Sequence, residues 1–281
     1  MSTLRLSGVT HAYAFKAVLE DVDLSLDAGR VLAIVGPSGC GKTTLLHLCA
    51  GLLTCQAGTL KNSFARTTVM FQQPRLLPWK TTRDNIALGL KAAGQPRAEW
   101  QRRAQTMGHA VGLDATALNQ FPHQLSGGMQ SRAALARALV LEPDLLLMDE
   151  PFSALDIGLK AQLHRLLLEH QAARQVAVLM ITHDLMEAVR LADSLLVMSS
   201  EPGRIAYRFE LSEPARRRDE RFVHRTTAEL LSVPLVRACF GLDALNEPGE
   251  LGAVDHANFG VGQGMRISDI TRTTDKKVIA C

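Results

Sequence analysis

Three runs of consecutive apolar residues stand out along the chain, at Val31 to Val35, Leu145 to Met148 and Val176 to Ile181. Apolar and polar residues do not alternate within these runs, which is typical of strands buried on both faces of a parallel sheet. A glycine-rich segment follows the first run, and polar residues follow the other two directly. Because ligands gather at the carboxyl edge of open α/β sheets, the pattern predicts an α/β core with a functional site at that edge.

The region between residues 74 and 144 has a helical pattern instead. Its clearest segments are Asp84 to Ala93 and Glu99 to Val111, and the sequence Gly94-Gln95-Pro96 between them favours a turn. Because this region lies between the first and second apolar runs, we expect a helical insert within the sheet-containing core.

Composition limits the classes of protein that fit this chain. Its 281 residues are 47% apolar, which is enough for a buried core, and the net charge of +3 disfavours the basic surface that DNA-binding proteins need. The five cysteines form no C-x-x-C pair, which indicates a reduced compartment and gives no support for a metal cluster. No signal peptide is predicted, and residues 43–60 resemble a buried helix ended by Gly51 more than a membrane span.

A glycine-rich segment directly after the first apolar run has the pattern G-x-x-x-x-G-K-T. Its glycines can adopt positive φ angles that turn backbone N–H groups toward a phosphate, and the following helix start favours anions. Lys42 would contact the β- and γ-phosphates, and the Thr43 hydroxyl would be placed to bind Mg²⁺. A purely structural turn is the alternative, but the complete pattern predicts a nucleoside triphosphate site. The predicted site comprises Gly36, Pro37, Ser38, Gly39, Cys40, Gly41, Lys42, Thr43 and Thr44.

A second motif chooses among the classes of nucleotide-binding protein. The segment Leu125-Ser126-Gly127-Gly128-Met129-Gln130 resembles the signature of the ATP-binding cassette (ABC) family, and it precedes the second apolar run as in that family. The Ser126 hydroxyl and the uncovered amides of Gly127 and Gly128 would form a second phosphate-binding site at a helix start. On these three residues alone, an ordinary loop is the alternative. The resemblance implies a head-to-tail homodimer, in which each ATP lies between Lys42 of one copy and Ser126 of the other.

Hydrolysis at the γ-phosphate requires a metal ligand, a group that orients or deprotonates water, and charge stabilisation. Asp149, at the end of the second apolar run, is placed to hold Mg²⁺, and Glu150 is the expected general base. Adjacent carboxylates are often surface charge, but two acids at the end of a buried strand need a partner cation. His183, after the third run, is the expected switch histidine at the γ-phosphate. The resemblance implies that Gln72 reaches Mg²⁺ and the attacking water, with Gln73 as an adjacent competitor.

Two further residues have roles that the resemblance implies. Residues 153–156 resemble the family's D-loop, which crosses the dimer interface, and Asp156 suits an N-cap of the next helix as well. Tyr13 lies where the family has an aromatic residue that stacks on adenine, although a strand aromatic in the core is an equal alternative. Leu4 to Leu6 and Leu24 to Leu26 flank this tyrosine and suggest an antiparallel β portion.

The segment from Phe71 to Trp79 resembles the version found in importers for nitrate, aliphatic sulfonates, taurine and related small solutes. The family receives a short coupling helix of the permease near this segment. Trp79 would be a suitable anchor in a loop that Pro78 stiffens, and a tryptophan buried in the insert is the alternative. Ser131 and Lys80 depart from the residues that relatives commonly carry, without removing a catalytic group.

The resemblance covers roughly residues 3–211. We therefore predict an ABC ATPase domain at residues 1–211, with the helical subdomain inserted at about 74–144. Residues 212–281 would form a C-terminal extension, helical from about 220 to 240 with a break at Pro234 and flexible beyond. The arginine run at 216–218 suits contact with lipid headgroups or, more simply, a solvated helix start.

These observations predict an ATPase subunit that uses ATP and Mg²⁺ to energise a membrane importer. It would act as a homodimer under two permease subunits at the cytoplasmic face of the inner membrane, with a separate protein delivering the solute. A soluble family ATPase acting on nucleic acid or ribosomes is one alternative, and the single cassette and near-neutral charge disfavour it. An exporter subunit is a second, which the Leu-Leu-Pro-Trp segment disfavours. A nucleotide-binding scaffold with little turnover is a third, and the presence of Gln72, Asp149, Glu150 and His183 argues against it.

Overall fold

A computed structural model of the chain describes residues 2–242. Within this range the strands are β1 (Thr3–Tyr13), β2 (Lys16–Asp27), β3 (Val31–Val35), β4 (Ala57–Asn62), β5 (Thr67–Met70), β6 (Leu145–Asp149), β7 (Ala177–Ile181), β8 (Ser194–Ser199) and β9 (Arg204–Glu210). They form a six-stranded sheet of order β5-β6-β7-β3-β8-β9 and a three-stranded sheet of order β2-β1-β4. The larger sheet is parallel except for β9, which pairs with β8 in the antiparallel direction.

The three apolar runs form the centre of the larger sheet. Strands β3, β6 and β7 are buried at every position. Their parallel register, with Val31 opposite Val178, brings their carboxyl ends to one edge. The predicted α/β core is therefore confirmed. Strand β7 begins at Ala177, one residue later than predicted, because the amide of Val176 still bonds to the Gln171 carbonyl of the preceding helix.

The smaller sheet confirms the predicted antiparallel β portion. Leu4 lies opposite Leu26 and Leu6 lies opposite Leu24, so both predicted apolar segments meet on one buried face. A tight turn with Ala14 at φ 52° connects β1 to β2. This hairpin puts the end of β1 at the tip of the sheet.

The helical insert lies between β5 and β6. Helix α1 (Lys42–Cys49) follows β3, and the insert contains α2 (Thr82–Ile86), α3 (Leu88–Ala92), α4 (Arg97–Ala110), α5 (Ala115–Asn119) and α6 (Gly127–Leu139). The segment predicted as one helix at 84–93 is two short helices joined at Ala87. Gly94, with φ 71°, separates them from α4, as the turn sequence predicted.

Within residues 2–242, four α-helices follow β6: α7 (Ile157–Arg174), α8 (Leu185–Leu191), α9 (Glu220–Ser232) and α10 (Pro234–Cys239). The predicted break at Pro234 is present, and α9 packs Phe222, Val223 and Leu230 into the same buried cluster as the core sheet. The domain limits at 74–144 and 211 stay predictions, and the segment predicted to be flexible lies outside the described residues. None of the described helices combines the length and the apolar composition that crossing a bilayer requires.

The arginine run before α9 is partly structural. Arg218 is buried, and its guanidinium donates hydrogen bonds to the carbonyls of Val189 (2.7 Å) and Ala192 (2.6 Å). Arg216 donates to the carbonyl of Leu168 at 2.7 Å. Arg218 therefore ties α8 to the segment before α9 and does not face lipid.

Candidate functional site

The phosphate-binding pattern forms the connection between β3 and α1. Residues 36–41 make the loop, and Lys42, Thr43 and Thr44 begin the helix. Gly39 and Gly41 have φ angles of 79° and 95°, which favour glycine. A Cβ at Gly41 would also lie 2.7 Å from Leu19 Cδ2. Both the backbone conformation and the close approach of β2 therefore require glycine there.

The ammonium group of Lys42 is held inside this loop. Lys42 is only 7% exposed, and its Nζ donates hydrogen bonds of 2.8 Å to the carbonyls of Gly36 and Pro37. It also lies 3.7 Å from Cys40 Sγ. A buried cation that is bonded only to carbonyls and a sulfur has capacity to bind an anion. The side chain is thus already directed at the inside of the loop.

Asp149 lies at the carboxyl end of β6 against the start of α1. Its Oδ2 accepts a 2.8 Å hydrogen bond from Thr43 Oγ1, and the residue is 3% exposed. Burial raises the pKa of the Asp149 carboxyl; Glu150 adds to this effect, and the Thr43 bond, His47 and Lys42 oppose it. A cation bound beside such a buried carboxyl group would stabilise its ionised form. The paired hydroxyl and carboxylate oxygens are ligands that Mg²⁺ prefers, so this part of the site fits the ion.

The described residues contain no cluster of three or more histidine, cysteine or acidic side chains able to hold a metal ion by themselves. Mg²⁺ usually keeps several waters and binds through one or two protein ligands plus substrate phosphates. The sparse protein ligand set at Thr43 and Asp149 is consistent with an ion that arrives with a nucleotide.

Glu150 is in contact with both of the other predicted catalytic side chains. Gln72 Nε2 donates a 3.1 Å hydrogen bond to Glu150 Oε2, and His183 Nδ1 lies 3.3 Å from Glu150 Oε1. The Glu150 backbone has φ 46°, and its amide donates to the Ile181 carbonyl at 2.9 Å. Side chains that follow β6 and β7 therefore meet, as the strand pattern predicted, and Gln72 after β5 joins them, as the resemblance implied. These contacts favour Gln72 over Gln73 as the functional glutamine.

The signature segment lies at the start of α6. The Ser126 hydroxyl accepts a 3.2 Å hydrogen bond from the Met129 amide and caps the helix. A Cβ at Gly127 would meet open space, and one at Gly128 would lie 3.4 Å from Leu155 Cδ2. Across residues 2–242, no hydrogen bond joins positions 126–128 to the phosphate loop. The structure thus shows a capped helix start with uncovered amides, separate from the first phosphate site.

For Asp156 and Tyr13, the structure tests one of the two roles that the sequence left open. Asp156 is the N-cap of α7, with its Oδ1 accepting a 2.9 Å hydrogen bond from the Leu159 amide. Tyr13 is 50% exposed, so it does not lie in the core. Its ring meets His11 edge-on with centroids 5.0 Å apart. The interface role of Asp156 and the adenine role of Tyr13 stay predictions.

Trp79 is 71% exposed, so the alternative of a tryptophan buried in the insert is wrong. Asn85 holds the preceding turn: its Oδ1 accepts from the Leu77 amide at 2.7 Å, and its Nδ2 donates to the Lys80 carbonyl at 3.1 Å. Of the two departures from the family pattern, Lys80 lies in this turn and Ser131 is buried in α6. The turn therefore presents the tryptophan to solvent on a fixed backbone.

Sequence reasoning missed Arg137, which supports the segment after Gln72. From α6, its guanidinium donates hydrogen bonds to the carbonyls of Pro74 (2.6 Å) and Arg75 (2.9 Å). The sequence did contain a signal for this role, because Arg137 interrupts an otherwise apolar stretch of α6. The signature helix and the loop that carries Gln72 are thereby connected.

Comparison with known proteins identifies the family. A family model described as ABC transporter matches residues 19–153. The taurine import ATP-binding protein TauB of Escherichia coli strain K12 is 42% identical over 216 residues, which cover 74% of this chain and 84% of that protein. The chain belongs to the ABC transporter family. TauB of Shigella flexneri has the same identity and coverage.

Solved structures of ABC cassettes have the same fold. A dimeric cassette in a post-hydrolysis state bound to ADP and Pi has a TM-score of 0.69 and 26% identity. The match covers 75% of this chain and 100% of the chain of that cassette. A dimeric bacterial ABC transporter cassette has a TM-score of 0.70 and 27% identity with the same coverage. Family membership confirms the predictions of an ABC cassette fold, of nucleotide binding and of an ATPase that acts in transport.

Proposed function

We propose that this chain is the ATP-hydrolysing subunit of an importer for a small solute of the taurine and sulfonate class. The observation that carries the proposal is Glu150, held between Gln72 and His183 beside the Thr43–Asp149 pair. The similarity to taurine import proteins supports both the import direction and the solute class. Neither a nucleic-acid-directed ATPase nor an exporter finds support in the comparisons.

The residues of the phosphate loop would bind ATP. The backbone N–H groups of residues 38–41 and of the start of α1 would face the phosphates. Lys42 would release the Gly36 and Pro37 carbonyls and bind the β- and γ-phosphates. Tyr13, at the exposed end of β1, stacks on the adenine. Thr43 and Asp149, with Gln72, would hold Mg²⁺, which when bound neutralises charge on the phosphates.

Glu150 would act as the general base. Its carboxylate already accepts a hydrogen bond from Gln72, so that amide can fix a water between itself and the carboxylate. Glu150 takes a proton from the water as the water attacks the γ-phosphate, and the bond from the γ-phosphorus to the bridging oxygen breaks, which releases ADP. His183 donates a hydrogen bond to the oxygens of the γ-phosphate. Because His183 contacts the other Glu150 oxygen, the two groups reach the same phosphate from one side.

The site would be complete only in a homodimer. Ser126, Gly127 and Gly128 have no hydrogen bond to the phosphate loop of their own chain across residues 2–242. The dimeric cassettes among the structural neighbours support an arrangement in which these residues of a second copy cover the γ-phosphate. Asp156, exposed at the start of α7, would lie in the same interface.

The dimer would dock under a permease at the cytoplasmic face of the inner membrane and receive solute through a separate binding protein. Trp79 is the proposed anchor, because a large exposed aromatic on a turn fixed by Asn85 suits a groove that receives a helix.

Co-purification from solubilised membranes of the host tests this assignment. We expect the tagged chain to retain a multi-span permease, and Trp79→Ala to lose most of it while its ATP binding is unchanged. Leu52→Ala removes another exposed apolar side chain, 56% exposed after α1, and should retain the permease. Recovery of only soluble or ribosomal proteins would contradict the transport assignment and leave the ATPase chemistry standing.

A further inference from the structure

A row of buried polar side chains lies behind the proposed catalytic edge. Thr182 Oγ1 donates a 2.7 Å hydrogen bond to Glu187 Oε2. The other carboxylate oxygen, Oε1, lies 3.5 Å from Nε2 of His164. Glu187 is 4% exposed and His164 is 7% exposed. A carboxylate is seldom buried to this degree without partners. Within the described part of the chain, Oε2 has a hydrogen bond whereas Oε1 has only the nearby His164 ring, with no hydrogen bond between them.

This row is connected to both turns that carry the proposed catalytic residues. Thr182 directly precedes His183, and its hydroxyl also accepts a 3.1 Å hydrogen bond from the amide of Asp184. At the other end, the His164 ring meets Phe152 edge-on with centroids 4.6 Å apart. Phe152 is fully buried two residues after Glu150. The row therefore extends from the turn after β7 to the turn after β6.

We propose that His164 and Glu187 are positioning residues that fix the distance between Glu150 and His183. Within residues 2–242, neither side chain makes a hydrogen bond or ion pair with Glu150 or His183, so both would act through Thr182 and Phe152. The inference rests on the proposed function, because Glu150 and His183 must both reach the γ-phosphate for their separation to matter. A misplacement of about 1 Å can lower a rate by about 100-fold, so a small shift of either turn is sufficient.

The surroundings of His164 and Glu187 allow a positioning role to be distinguished experimentally from a role in folding alone. His164 and Glu187 border an open cavity of about 1000 Å³ between α7, α8 and the segment before α9. The cavity is open to solvent and several charged side chains line it, so water inside it can hydrate a polar atom that a substitution at its border uncovers. Removing one contact should therefore leave the fold intact while releasing the turn.

The experiment measures ATP hydrolysis by the full chain with substitutions along this row. His164→Leu keeps a bulky side chain but removes the ring nitrogen, and Thr182→Val removes only the hydroxyl. We expect each to lower kcat about 10-fold or more, with the KM for ATP within about twofold of wild type, because the phosphate loop is untouched. His164→Gln and Thr182→Ser restore a polar group and should recover most of the rate.

The matched control is His170→Leu, the same substitution on the same helix at a half-buried histidine away from the row. It should hydrolyse ATP at the wild-type rate. The double variant His164→Leu/Thr182→Val should be about as slow as the slower single variant, because residues of one network act non-additively.

Three outcomes would overturn the proposal: a wild-type rate in His164→Leu or Thr182→Val, multiplicative losses in the double variant, or a rise in KM that accounts for the loss. If His164→Leu does not fold, the Thr182→Val and Thr182→Ser pair decides alone. Failure of the proposed function is distinct, since wild-type chain would then not hydrolyse ATP, or Glu150→Gln would hydrolyse it normally.

Discussion

The two proposed phosphate-binding regions of this chain differ in how complete they are. At the carboxyl edge of the core sheet, Glu150 is in contact with Gln72 and His183, and Asp149 is bonded to Thr43. At the start of α6, by contrast, the Ser126 hydroxyl caps its own helix and Gly127 faces open space. One region is assembled within the chain, and the other presents uncovered amides. This asymmetry is what a shared site between two copies requires.

The largest expected effect comes from removing the base at the assembled edge. Glu150→Gln keeps the size of the side chain but loses a basic carboxylate, so hydrolysis should fall about 100-fold or more. ATP binding should persist, because Lys42 and the phosphate loop are unchanged. The variant should therefore accumulate as an ATP-bound closed dimer, measured by size-exclusion chromatography with and without ATP.

Glu169→Gln, an exposed acid on α7, provides the control for the change of charge and should hydrolyse ATP normally. Near-normal turnover in Glu150→Gln would remove the base assignment and with it the contrast between the two regions.

The next effect tests whether the uncovered region serves a second copy. Lys42→Ala should weaken nucleotide binding, and Gly127→Asp should place a carboxylate where the γ-phosphate of the other copy lies. Each variant alone should be inactive. A mixture should regain up to about a quarter of the wild-type rate, because half of randomly paired dimers contain one intact site out of two.

Gly127→Ala is the matched control, since a Cβ there meets open space and the substitution should leave activity in place. An acidic side chain also suits the first turn of a helix, so Gly127→Asp should fold. If both phosphate regions served one nucleotide within a single chain, mixing would restore no activity.

The comparison also shows which features a sequence can predict. Glu150 and His183 were predictable because each ends a run of buried apolar residues, and parallel strands bring such ends together. The supports behind them were not: Arg137 and Glu187 lie on helices whose patterns do not indicate which loop they contact. His164 is similar, since its partner is 23 positions away on another helix. Such contacts depend on how helices pack, which no local pattern determines.

The smallest effect concerns the stability of the assembled edge. Burial raises the pKa of Asp149, so the folded state binds the proton more tightly than the unfolded state. Stability is therefore lost as the pH rises from the ordinary carboxyl range through the raised pKa. Without nucleotide, Asp149→Asn should accordingly have the higher free energy of unfolding at pH 7, measured with urea.

Lowering the pH below the ordinary carboxyl range should remove the difference, and Asp27→Asn, an exposed acid at the end of β2, should show none. ATP with Mg²⁺ should reverse the order, because only the wild-type carboxylate gains a cation and ligand binding to the folded state adds to its stability. Equal or lower stability of Asp149→Asn without nucleotide would mean that the Thr43 hydrogen bond already offsets the desolvation. The ionised Asp149 would then not destabilise the folded state in the absence of ATP and a cation.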